Sequence, residues 1–86
     1  MIDFSAPAAS TWTADDGTHI DVRGLQAPQP LVQILRLVHG QGPAAVIVHH
    51  DRDPALLYPE LAEIGWQAER LPSAADEVLL RLTALP

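Results

Sequence analysis

Residues 44–66, AAVIVHHDRDPALLYPELAEIGW, decide the reading of the fold. Ala44 to Val48 is a short uninterrupted apolar run preceded by Gly40, Gly42 and Pro43, the pattern of a central strand covered on both faces. His49 to Asp53 then forms the densest run of potentially functional side chains in the chain. Asp53 and Pro54 suit the cap and first position of a following helix. Pro59 has no N–H to donate inside that helix, so the spacing predicts one turn from Pro54, a restart near Tyr58 and a helix to Ile64. Leu57, Leu61 and Ile64 form its inward stripe, and Gly65 is a left-handed stop that folds Trp66 back onto it.

Working outward, His19 to Arg23 alternates polar and apolar residues, the period of a half-buried strand ended by Gly24. Leu25 to Pro30 is a stiff connector, because each proline fixes its own φ and restrains the residue before it. Leu31, Ile34, Leu35 and Val38 fall on one helical stripe, closed by Gly40, Gly42 and Pro43. Downstream, Trp66 to Leu71 and Glu77 to Thr83 read as a hairpin around a turn at Pro72 to Asp76. The order βαβαββ predicts an α/β two-layer sandwich (α+β) with a mixed four-stranded sheet and two helices on one face.

Residues 1–18 are rich in Ala, Ser, Thr and Pro and read as a flexible N-terminal arm, with residues 19–86 as the domain. Ile2, Phe4 and Trp12 are large apolar exceptions in that arm, suited to docking on the open sheet face or on a neighbouring subunit. The open face would carry His19, Asp21, Arg23, Ile47, Gln67, Glu69, Leu79, Arg81 and Thr83. Ile47 and Leu79 would then form a small apolar centre fit for a homodimer contact.

Bulk composition narrows the partners. The 86 residues, 48% apolar, make one small packed domain with a formal charge of -6. Its basic residues are five arginines and no lysine. Such a balance disfavours nucleic acid and anionic membrane surfaces, whose binding depends on phosphate neutralisation. No cysteine is present, which excludes a thiol nucleophile or thiolate metal site in this chain. The N-terminus lacks the basic and apolar regions of a secretory signal, and no run approaches the ~20 apolar residues of a membrane span, so a cytoplasmic protein is expected.

Two separated motifs carry a resemblance. Asp21-Val22-Arg23-Gly24-Leu25 followed by Ala27-Pro28-Gln29-Pro30-Leu31 resembles the opening of TusA-like (SirA-like) sulfur-carrier proteins, where an Asp-x-x-Gly-Leu strand leads to a Cys-Pro-x-Pro helix start. The later His50-Asp51-Arg52-Asp53-Pro54, Leu57-Tyr58-Pro59-Glu60-Leu61 and Gly65-Trp66 look closer to a cysteine-less sister family of these domains. The resemblance covers residues 19 to about 83 and implies the βαβαββ fold. It also implies an association with hemerythrin-like and respiratory nitrogen-oxide proteins. In TusA-like carriers the cysteine before the first proline forms a persulfide; here that position is Ala27, so the family's sulfur transfer is not open to this chain.

In a parallel βαβ unit the strand ends and helix starts lie on one edge, so the 24–30 and 49–54 loops should be neighbours. Two helix N-termini meeting there would favour an anion. The candidate ligand- or partner-binding residues are Arg23, Pro28, Pro30, His49, His50, Asp51, Arg52 and Tyr58. Asp51 and Asp53 serve equally as caps or as partners of the arginines. His49 and His50 point to opposite faces on a strand, which sets them apart as ligands of one metal, and no metal or cofactor is assigned. Glu60 and Glu63 read as a solvated helix face. The expected function is a non-catalytic binding module recognising a partner protein or small anion at this edge. A metal- or haem-associated redox accessory using the histidines, and a sulfur-relay accessory relying on a partner's thiol, are the alternatives.

Overall fold

The computed structural model describes residues 9–41 and 44–86. Its elements are β1 (Ser10–Ala14), β2 (Gly17–Asp21), α1 (Gln29–Gln41), β3 (Val46–His50), α2 (Leu57–Glu63), β4 (Trp66–Leu71) and β5 (Val78–Ala84). The five strands form one sheet in the order β1-β2-β3-β5-β4. Among the described residues only β2 and β3 pair in parallel; the β1·β2, β3·β5 and β4·β5 pairs are antiparallel. The α+β architecture with a mixed sheet and two helices is as expected, but the sheet has five strands rather than four.

The additional strand lies inside the stretch read as a flexible arm. Ser10–Ala14 pairs with β2 through a tight turn at Asp15 and Asp16, Ala14 opposing Gly17 and Trp12 opposing His19. All five residues of β1 are exposed, so no buried face marks it as a strand. Its edge position needs none, because the ladder supplies the pairing. Ile2 and Phe4 lie outside the described residues.

Two other boundaries shift. β3 runs on through His49 and His50, past the apolar run that announced it. α2 begins at Leu57, which places Pro59 in its first turn, where a backbone N–H has no helical partner in any case. No side chain caps it: Asp53 accepts through its main-chain oxygen from the Ala55 N–H, and Leu57 N–H donates to Pro54. Ile64 is the C-cap residue and 37% exposed, so the inward stripe of α2 is Leu57 and Leu61 alone. Gly65 takes the left-handed conformation, φ 79°, and Trp66 is buried as foreseen.

Both helices close over one sheet face. Ile20, Val46, Val48, Trp66, Val78, Leu80 and Leu82 from the strands, with Val22 just past β2, pack with Ile34 and Val38 of α1 and Leu57 and Leu61 of α2 in one cluster. Alternation sends the register neighbours His19, Ile47, Arg81 and Glu69 to the other face. Ile47 is nevertheless only 1% exposed, so the apolar centre assigned to that face is not a free patch.

Candidate functional site

The 24–30 and 49–57 segments meet at one edge and enclose a pocket of about 340 Å³. Leu25, Ala27, Pro28, Pro30 and Leu31 line one side of it, and His50, Arg52, Asp53, Pro54, Ala55, Leu56 and Leu57 the other. That volume lies within the roughly 300–1,000 Å³ of small-molecule sites, which are likewise mostly apolar with few polar groups. Of the candidate residues, Pro28, Pro30, His50 and Arg52 line this pocket. Arg23, His49, Asp51 and Tyr58 do not.

His50 sits at its base. Inward alternation on β3 buries it to 3% exposure. Its Nδ1 accepts the backbone N–H of Asp51 at 2.9 Å and that of Arg52 at 3.3 Å. An Nδ1 that accepts carries no proton, so the neutral ring bears its proton on Nε2. The 3.2 Å approach of Asp51 Oδ1 to the same Nδ1 is then a contact between two acceptors rather than a hydrogen bond. Nε2 has no protein partner among the described residues.

Asp51 ties the two loops together. Its Oδ2 accepts the Gly24 N–H at 3.2 Å, and its Oδ1 lies 3.3 Å from Arg52 Nε. The Gly24 bond is the main reason its carboxyl is held below the usual range. Arg52 is 72% exposed on its side chain and stands at the mouth. Tyr58 donates its hydroxyl to Asp53 Oδ1, and burial together with that carboxylate pushes its pKa up to about 12. The pair pins the turn leading into α2.

Helix ends contribute less than the two-loop reading expects. Gln29 N–H is taken by Gln26 and Leu57 N–H by Pro54, while Pro30 and Pro59 have none to offer. The cationic character of the edge therefore rests on Arg52.

Arg23 is committed elsewhere. It donates to Asp21 through Nε at 3.0 Å and Nη2 at 2.9 Å, and to Glu77 through Nη1 at 3.2 Å. The Asp21 carboxyl is lowered chiefly by that bonding. Two carboxylates thus neutralise this arginine outside the pocket.

His49 faces the other way, as strand alternation requires, and joins a cluster on the open face. Its Nε2 lies 2.8 Å from His19 Nδ1, and His19 Nε2 is 2.7 Å from Asp16 Oδ1. With His19 donating to Asp16, its Nδ1 accepts the His49 Nε2–H. Trp12 stacks on His19 with centroids 5.1 Å apart and tilts over His49 at 5.2 Å. Burial first, then the nearby His19, pushes the His49 pKa down. Sequence reasoning placed His19 on this face but not His49 beside it. Of the two places expected for Trp12, the open sheet face or a neighbouring subunit, the structure shows the first; the Asp-Gly step at Asp16 and Gly17, a hairpin signal, could have shown that it arrives there on a strand. Among the described residues no group of three or more His, Asp or Glu side chains is placed to hold a metal ion. No described helix is long and apolar enough to cross a membrane.

Fold and site together define a small mixed-sheet α+β domain with an apolar pocket between two loops at the sheet's edge. Compared with known proteins, the chain matches no family model, no curated protein and no solved structure.

Proposed function

We propose that the protein is a non-catalytic binding module of TusA-like architecture that recognises a small anion or a partner protein at the edge between the 24–30 and 49–54 loops. The observation that carries this reading is the pocket itself, formed by both loops and furnished with one buried imidazole and one exposed guanidinium. Ala27 lines it at the position where the resembling carriers hold their persulfide cysteine. A methyl group there keeps the cavity and removes the nucleophile, which favours binding over sulfur transfer. Asp53, the remaining ionisable group of the lining, is engaged by Tyr58.

The test is backbone amide NMR of the intact protein titrated with acetate and inorganic phosphate, alongside affinity capture of partners. Wild-type protein should respond to an anion at residues 25–31 and 50–57, or retain a captured partner, and Arg52→Ala should lose that response. Identical shifts and an identical captured set in Arg52→Ala would sink the reading. Arg23→Ala should leave both unchanged, since Asp21 and Glu77 already hold that charge.

A further inference from the structure

The chemistry of the occupant follows from how the pocket's groups are spent, on the reading above that this edge is a binding site. The walls come first. Leu25, Pro28, Pro30, Leu31, Pro54, Leu56 and their neighbours demand an apolar body, and Leu56, 74% exposed, extends that surface to the rim. An inorganic ion alone would leave these side chains facing water.

His50 supplies the second constraint. No fully buried side-chain nitrogen or oxygen of the described residues lacks a hydrogen-bond partner. His50 Nε2 has no protein partner among the described residues, so it is not sealed in the core, and His50 is one of the residues that line the cavity. A side chain buried to 4% exposure thus presents one unspent N–H donor to the pocket, and a buried donor without an acceptor is costly. The occupant should bring an acceptor oxygen to that atom.

Charge supplies the third. Arg52 uses only Nε, toward Asp51, and both its terminal nitrogens are unpaired among the described residues. His50, accepting at Nδ1, is neutral. The lining therefore holds one cation, Arg52, whose two terminal nitrogens are left for a ligand, and one carboxylate, Asp53, with Asp51 against Arg52 Nε. One negative charge can be matched there, whereas the second charge of a phosphate dianion would meet those acids in a chain of net charge -6.

We infer that the pocket binds a small organic acid: a single carboxylate on an aliphatic or aromatic body. A carboxylate oxygen accepts from His50 Nε2–H, the Arg52 guanidinium balances the charge from the mouth, and the body lies against Leu25, Pro28, Leu31 and Leu56. No bond is made or broken.

Octanoate and its neutral counterpart octanol serve as probes in NMR titrations of the full chain, with long-range proton–nitrogen spectra reporting on the His50 ring. Octanoate should shift the amides of residues 25–31 and 50–57 and move the His50 Nε2 resonance, with octanol about tenfold or more weaker, as a charge-assisted hydrogen bond implies. Arg52→Ala, a change at an exposed side chain that leaves the core intact, should weaken octanoate about tenfold and leave octanol alone. Equal affinity of the two probes overturns the acid inference while the pocket reading stands. Pocket shifts without movement of His50 Nε2 overturn the assigned donor, and silence from both probes overturns the inference entirely. Affinity capture with Arg52→Ala then decides separately whether the edge serves a partner protein.

Discussion

Gly17, the first residue of β2, lies against Ala45 at the entry to β3. Its φ is 135°, and a Cβ there would lie 2.4 Å from the Ala45 carbonyl oxygen, whose place is fixed because it accepts the Thr18 N–H at 3.0 Å. Gly17→Ala must therefore strain the backbone or break the first rung of the parallel ladder. A loss of about 1–3 kcal/mol is expected, measured by urea denaturation; an unchanged midpoint would show that the hairpin relaxes freely. Tyr58→Phe tests a milder constraint. Removing the hydroxyl that Asp53 accepts should cost about 1 kcal/mol in the same assay and leave the pocket walls in place. At this scale the sequence was legible wherever one residue type has one use, as with Gly65 at its left-handed turn. It was not legible for Arg23, whose engagement with Asp21 and Glu77 spans 54 residues of chain to the latter and leaves no local mark.

Elements were read best where burial imposed a period. The stripe Leu31, Ile34, Leu35 and Val38 predicted α1, and Ile34 and Val38 are indeed buried while Leu31 and Leu35 pack against the cluster. β1 was missed because an edge strand wet on both faces has no apolar period to display. β3 was cut short at Val48 because two histidines look like a loop, although both belong to the strand: His50 turns inward with its Nδ1 accepting main-chain N–H groups, and His49 turns outward against His19 and Trp12. The His19–His49 pair ties β2 to β3 and makes the sheet sensitive to pH. His49 titrates below its ordinary value of about 6.5, so the unfolded chain binds this proton more tightly than the folded one. Its contribution is complete above that ordinary value and is lost as pH falls from there toward the lower folded value. Denaturation midpoints should decline across this window, and His49→Gln should flatten the decline. An equal slope in the variant would place the proton uptake elsewhere.

For the whole molecule, β3 acts as a partition. His49 and His50 are adjacent in the chain, yet one belongs to the Trp12, His19 and Asp16 cluster and the other to the pocket, with the main apolar cluster on the pocket side. Among the described residues the two constellations share no hydrogen-bonded side chain: Glu77 and Asp21 serve the open face, Asp51 and Asp53 the pocket edge. Sites without common partners contribute independently, to within about 0.3–0.5 kcal/mol. A ligand that binds only the folded pocket adds stability set by its concentration relative to its dissociation constant. That increment should therefore be the same in Trp12→Ala as in wild type, even though Trp12→Ala lowers the starting stability by stripping the stack from His19 and His49. Thermal shifts with octanoate at matched saturation, measured in both proteins, check this. A smaller increment in Trp12→Ala would mean that the hairpin and the pocket are coupled through β3, and the sheet would then transmit between its two faces rather than separate them.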